Sequence, residues 1–125
     1  MAYEDRYNTK LDNKYGHLTT IDIPAEVAAH EPWFNQTLTQ VNDCVVRLGI
    51  IQGEYHWHKH DSEDECFVVL DGELMIDVQD KGTVTLTRHQ GYTIPKGVVH
   101  RTRAAVKTVI LMVEGASVTP TGDER

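Results

Sequence analysis

The stretch from Gly53 to Gly72, GEYHWHKHDSEDECFVVLDG, decides the fold. It carries histidines at three alternate positions: His56, His58 and His60. Side chains in a strand alternate between two faces, so this spacing predicts that the imidazoles share one face. The acidic turn at 61–64 is short enough for a hairpin loop, which would bring Glu65 of the next apolar run back beside them. Imidazoles and a carboxylate on one face are a donor set that suits a transition metal.

A later segment supplies one more nitrogen. Gly91–His100, with the sequence GYTIPKGVVH, ends in a histidine just beyond a tight Pro-Lys-Gly turn. Imidazoles and a carboxylate are costly to bury in an apolar interior unless something coordinates or protonates them. The sequence therefore predicts a metal site that this third segment completes.

Size and charge restrict the class of protein. With 125 residues the chain is long enough for one domain with its own hydrophobic core. The net charge of −7, from 19 acidic against 12 basic residues, argues against a nucleic-acid or anionic-membrane partner. Residues 1–17 are polar and charged, unlike a signal peptide or a membrane span, so a cytoplasmic location is expected. Cys44 and Cys66 lie in apolar runs, which predicts buried free thiols.

The order of apolar runs and turns predicts an all-β protein, a sandwich or a barrel. The predicted strands are Cys44–Ile51, Glu65–Leu70, Glu73–Val78, Thr83–Thr87, Tyr92–Ile94, Val98–Arg103 and Thr108–Val113. Asp71-Gly72 is a typical hairpin pair. Before these strands, Leu18–Ile23 is predicted as an edge strand and Pro24–Ala29 as a short helix. We divide the chain into an N-terminal arm with the short helix and edge strand (1–40), a barrel core (41–115) and a polar C-terminal tail (116–125).

At this point the sequence resembles the cupin superfamily through two motifs. The first motif is matched by Gly53, His58-Lys59-His60, Glu65 and Gly72. The second is matched by Gly91, Pro95-Lys96-Gly97 and His100. Gly53-Glu54-Tyr55-His56-Trp57-His58-Lys59-His60 also resembles a set of small bacterial cupins.

The sequence departs from the two motifs in three places. The spacings from Gly53 to His58 and from Gly91 to Pro95 are shorter than in the family pattern, and Ala104 stands where an asparagine often closes the second motif. These departures affect the shape of the loops and remove no ligand.

The resemblance implies a cupin jelly-roll β-barrel with a short N-terminal helix or arm. It also implies one divalent transition metal, held by His58, His60, Glu65 and His100. Three nitrogens and one carboxylate suit Fe, Mn, Ni, Cu or Zn, and the sequence does not choose among them. Four protein ligands leave one or two coordination positions for water or substrate, as metal catalysis requires.

Other residues are candidates for catalysis beside Glu65. His56 shares the parity of the ligand histidines, and Tyr92 lies beside the second motif; both are candidates for moving a proton. Arg47 would bind an anion if it pointed inward, but we interpret it as an outward arginine. Trp57 and Lys59 have the opposite parity and should face away from the metal.

We expect a metal-dependent small-molecule enzyme with isomerase-like or other proton-transfer chemistry on a small polar substrate, sugar-like or acid-like. The alternatives are a dioxygenase, a lyase, or a non-catalytic metal-stabilised module that binds or senses a ligand, because fold does not choose the chemistry. A homodimer is expected, since the run around Cys66, Val68 and Leu70 is apolar on both faces.

Overall fold

The computed structural model of the chain describes residues 7–122, which form eight strands and one short helix. In chain order the elements are β1 (Thr9–Lys10), α1 (Ile23–Ala29), β2 (Phe34–Val41), β3 (Cys44–Glu54), β4 (Glu65–Asp71), β5 (Glu73–Val78), β6 (Gly82–Thr87), β7 (Gly91–Ile94) and β8 (His100–Gly115). The prediction of an all-β fold with a short N-terminal helix is confirmed. No helix within residues 7–122 is both long enough and apolar enough to cross a membrane.

The strands form a sheet that curls into a jelly-roll barrel around β8. The order is β1-β2-β3-β8-β4-β7, and β5 pairs with both β6 and β8. One long strand thus pairs antiparallel with three others: β3, β4 and β5. The first residue of β8 is His100, and Glu114 lies near its other end. Both residues are buried, so β8 contributes buried polar side chains near both of its ends.

The predicted hairpin at Asp71-Gly72 is wrong, because β4 and β5 do not pair with each other. Both pair with β8 in succession, β4 as far as Val109 and β5 from Arg103 onward. The Thr108 hydroxyl accepts the Glu73 N–H at 3.1 Å and so holds the corner against β8. The segments predicted as two strands, Val98–Arg103 and Thr108–Val113, lie in this single strand, β8, which begins at His100.

The two faces of β3 line two different cores. Residues at odd positions, such as Ile51, face the barrel interior with Phe67, Ile76 and Ile110. Residues at even positions, such as Leu48 and Ile50, pack in a second cluster with Phe34, Leu38 and Val109. Ile23 and Val27 of α1 and Tyr15 cover that second cluster. This double burial explains why the run CVVRLGII is apolar on both faces.

The N-terminal region differs from the prediction. Leu18–Ile23 is no strand: Leu18 has a positive φ of 59°, and Asp22 caps α1 by accepting the Ala25 N–H at 3.0 Å. The sequence analysis missed β2, which pairs antiparallel with β3. Its sequence, FNQTLTQV, is rich in Asn, Gln and Thr and has no clean apolar alternation. Pairing with β3 therefore outweighs the weak local preference.

The cysteines are free, as predicted, but their predicted burial is wrong. Cys44 is exposed at the first position of β3, and Cys66 is half-buried on the outer face of β4. Val68 and Leu70 share that outer face and are also half-buried. The homodimer expected from these residues stays a prediction.

We predict that Gly72→Ala destabilises the protein more than Gly82→Ala does. Both glycines have positive φ, 91° and 96°, so both variants lose roughly 1–3 kcal/mol through backbone strain. Only at Gly72 would a Cβ also meet backbone, 2.9 Å from the Lys107 carbonyl oxygen, whereas Gly82 faces open space. Overpacking adds roughly 1–3 kcal/mol. Urea denaturation measures the difference, and equal losses for the two variants would contradict the close approach of the corner to β8.

Candidate metal centre

Four buried side chains that can ligate a metal converge at one end of the barrel interior. They are His58, His60, Glu65 and His100, and one ligand atom from each lies within 4.8 Å of all the others. Backbone pairing fixes two of them, because His58 and His100 exchange N–H···O bonds of 2.9 Å in each direction. Glu65 is the first residue of β4, opposite Glu114 of β8. The structure thus brings together the four predicted metal ligands.

Backbone carbonyls fix how two of these imidazoles are oriented. A carbonyl oxygen only accepts, so Nδ1 of His58 donates to the His56 carbonyl at 3.0 Å and Nδ1 of His100 to that of Val98 at 2.9 Å. In the neutral ring the lone pair is then on Nε2, inside the cluster. Burial, followed by the nearby His100, lowers the pKa of His58 to about 3, so this ring is neutral at physiological pH.

His60 and Glu65 test whether the cluster fits a cation. Both ring nitrogens of His60 are buried without a hydrogen-bond partner, although Nε2 lies 3.2 Å from Oε1 of Glu65. The same Oε1 is 3.2 Å from Nε2 of His100. Burial alone would raise the pKa of Glu65, but the contacts from His100 and His60 outweigh it and hold the pKa below its usual range. Unpartnered nitrogens beside a carboxylate are compatible with a divalent ion, which replaces the protons that otherwise stabilise such a group.

The histidines were predicted to lie on one continuous strand, and this prediction is wrong. β3 ends at Glu54, and within 55–64 only His58 forms a β-bridge. His58 and His60 are nevertheless buried, and Trp57, the residue before His58, is exposed beneath the Arg101 guanidinium. The inward–outward alternation therefore survives without a regular strand, because the backbone is still held against β8.

His56 lies outside the ligand cluster. Its ring is half-buried and stacks against Tyr55 and Tyr7, with centroids 4.4 and 5.7 Å away. Its Nε2 is 2.6 Å from the Thr121 carbonyl oxygen, and its Nδ1 is 3.4 Å from the Tyr7 hydroxyl. His56 thus belongs to an aromatic group beside the metal cluster.

The structure does not bring Tyr92 to the cluster. This residue is 36 % exposed on β7, and the cavity beside Glu65 is lined by other residues. β7 pairs with β4 only over Glu65–Val68. Proximity in sequence to the second motif therefore did not translate into proximity to the cluster.

Arg47 points inward, so its interpretation as an outward arginine is wrong. It is buried, and its Nη1 lies 2.5 Å from Oε1 of Glu114 and 3.2 Å from the Val118 carbonyl. Its Nε donates to the Thr37 hydroxyl at 3.0 Å. These partners, all from this chain, occupy the guanidinium of Arg47.

The sequence analysis missed Glu114, the cross-strand neighbour of Glu65. Burial and then the Glu65 carboxylate raise the pKa of Glu114, and the Arg47 guanidinium only partly offsets them. A carboxyl group that keeps its proton can be buried opposite the Glu65 carboxylate without like-charge repulsion. At the end of the apolar strand β8, before a glycine, this glutamate resembles an ordinary solvated residue in sequence.

A small cavity of about 40 Å³ adjoins His58 and Glu65. The two ends of the described chain meet over it, because Tyr7 and Pro120 both contribute to its lining. A Cβ at Gly122 would lie only 2.5 Å from Cβ of His58, so the C-terminal segment packs directly on a ligand. The predicted polar tail therefore covers the site as far as Gly122.

Comparison with known proteins places the chain in a family. Residues 44–114 match the cupin domain model, and the chain belongs to the cupin family. It is 52 % identical over 80 residues to the uncharacterized protein YdbB of Bacillus subtilis, covering 64 % of this chain and 71 % of that protein.

Solved structures show the same fold. A cupin-2 domain protein from Shewanella frigidimarina has a TM-score of 0.72 at 31 % identity, covering 77 % of this chain and 94 % of that one. A Bacillus halodurans protein, BH2720, has a TM-score of 0.69 at 17 % identity, covering 90 % and 92 %. The chain is a small cupin domain with a buried His-His-Glu-His cluster compatible with a metal ion.

We predict that His60→Leu abolishes metal-dependent stabilisation, while the metal-free protein loses only the contact between His60 and Glu65. Leucine fills a similar volume and removes two buried nitrogens that have no hydrogen-bond partner. The wild type should gain about 2.7 kcal/mol at a free metal concentration of 100 times Kd, and the variant none. Denaturation with and without a chelator measures both, with the exposed His17→Leu as control. A variant that still gains stability from metal would contradict the role of His60.

Proposed function

We propose that this cupin is a metal-dependent enzyme that transfers a proton on a small molecule. The observation that carries the proposal is that the cavity reaches two of the four clustered ligands, His58 and Glu65. A divalent ion held by the cluster would supply Lewis-acid polarisation of substrate oxygens. A substrate in the cavity would lie against the cluster on the side that the protein leaves accessible.

The residues that would move the proton are Tyr7 and His56. Because a carbonyl only accepts, Nε2 of His56 carries the proton in its 2.6 Å contact with Thr121. In the neutral ring Nδ1 is then an acceptor, 3.4 Å from the Tyr7 hydroxyl. Tyr7 is buried and lines the cavity, so its hydroxyl can exchange a proton with a bound molecule while His56 accepts from behind. This role uses His56 as the sequence predicted and replaces Tyr92 by Tyr7.

The closed surroundings support the same chemistry. Tyr7 and Trp33 pack edge to face with centroids 5.2 Å apart, and Tyr55 donates to the Pro120 carbonyl at 3.2 Å. These contacts narrow the mouth of the cavity, and fewer water molecules inside would strengthen electrostatic interactions there.

We predict that the zinc-loaded protein catalyses exchange of carbon-bound hydrogen in D₂O with hydroxyacetone and its longer alkyl homologues, which offer adjacent oxygens to a metal. Tyr7→Phe removes only the hydroxyl and should lower the exchange rate at least about 10²-fold while metal content is unchanged. Tyr92→Phe is the matched variant on the exposed tyrosine. NMR measures the exchange. If Tyr92→Phe lowered the rate and Tyr7→Phe did not, the role of Tyr7 would be refuted.

A second candidate function is a non-catalytic module that binds a ligand at a metal-stabilised site. The packing of Gly122 against His58 favours it, since a segment that packs on a candidate ligand restricts access to it. The D₂O experiment separates the two functions: a metal-loaded wild type that exchanges no hydrogen in any of these compounds supports the module and contradicts the enzyme.

A further inference from the structure

The cavity beside the metal cluster is apolar on most of its wall. Ile51, Phe67, Ile110 and Met112 line it together with the aromatic side chains already described. All four belong to the buried core of the barrel. The ligands His58 and Glu65 contribute the charged and ligating part of the wall. A molecule in this space therefore meets His58 and Glu65 at one side and a mainly hydrocarbon wall elsewhere.

Among the described residues, the lining contains no lysine and no arginine. Arg47 is on the same face of β3 as Ile51, but Glu114, Thr37 and the Val118 carbonyl occupy its guanidinium. The neutral groups of Asn35 and Thr102 can hydrogen-bond a hydroxyl but do not neutralise an anion. A carboxylate or phosphate buried here would be unpaired, which costs several kcal/mol.

We propose that the cavity binds the uncharged, mainly apolar tail of a substrate whose oxygen-bearing head binds the metal. The inference rests on the proposed metal-dependent function and deepens it by naming the substrate class. It narrows the expectation of a sugar-like or acid-like substrate to one with an uncharged tail, since a phosphate or carboxylate tail has no cationic partner among the lining residues. The volume of about 40 Å³ limits the tail to a short chain.

Gly49 sets the room available for the tail. It lines the cavity, and a Cβ on it would lie 3.0 Å from Cγ1 of Ile110 and 3.2 Å from Cε of Met112. Both neighbours also line the cavity, so an added methyl group displaces side chains into the space for the tail. The residue is therefore a determinant of tail length.

The test keeps the metal-binding head constant and varies the tail. Acetohydroxamate, pentanohydroxamate and the monohydroxamate of succinate share one chelating head and end in a methyl group, a short alkyl chain or a carboxylate. Each is titrated into the cobalt-loaded protein, and the visible spectrum of the cobalt reports binding. We expect pentanohydroxamate to bind about tenfold or more tightly than acetohydroxamate, since each buried methylene adds roughly fourfold. The succinate compound should bind at least tenfold more weakly than pentanohydroxamate.

Gly49→Ala should reduce the preference for pentanohydroxamate over acetohydroxamate. The matched control is Gly16→Ala, at a glycine with no atom within 4 Å of the added Cβ. That variant should keep the wild-type preference. If Gly49→Ala does not fold, the three titrations of the wild type still decide the proposal.

The outcomes separate this inference from the proposed function. Equal or tighter binding of the succinate compound, with acetohydroxamate also bound, overturns the apolar tail and leaves the metal site standing. A cobalt spectrum that none of the three compounds changes overturns the accessible metal site, and the inference with it. Tight binding of pentanohydroxamate alone supports both.

Discussion

The burial of three imidazoles and one carboxylate within 4.8 Å of one another is the constraint on which the site depends. Each group is taken out of water, and desolvation without a partner costs several kcal/mol for a charged form. Hydrogen bonds offset part of that cost, because the His58 and His100 rings donate to the carbonyls of His56 and Val98. Neither ring nitrogen of His60 has a hydrogen-bond partner, and its nearest polar neighbour is Oε1 of Glu65 at 3.2 Å.

The long strand β8 is what makes this burial possible. Its first residue is the candidate ligand His100. Fourteen residues further along the strand, Glu114 lies opposite Glu65. The strand also carries the corner at Thr108, where β4 gives way to β5. Candidate ligands from three separate parts of the sequence are therefore positioned by pairing to one element. The contact between Arg47 and Glu114 extends the polar contacts to β3.

The fold and the clustering of His58, His60, Glu65 and His100 could be predicted from the sequence, because they depend on local patterns and on two motifs that resemble those of cupins. Alternation places His58 and His60 inward, and turn residues separate most strands at nearly the right positions. The strands with which β4 and β5 pair could not be predicted from the sequence, since Asp71-Gly72 suits a hairpin and a corner equally well. Arg47, Glu114 and Tyr7 were missed or misplaced for the same reason: their neighbours lie far away in sequence, at Glu65 and His56. The local periodicity of the sequence does not predict contacts between residues so far apart.

The most direct test of the account is the metal content of the protein purified without a metal-affinity tag, for the wild type and for His58→Ala. The account predicts close to one equivalent of a single divalent transition metal in the wild type and its loss in the variant, and the identity of the metal would then direct the chemistry toward oxygen activation for iron or toward proton transfer for zinc. A wild type that binds none of Fe, Mn, Ni, Cu or Zn after reconstitution would contradict it.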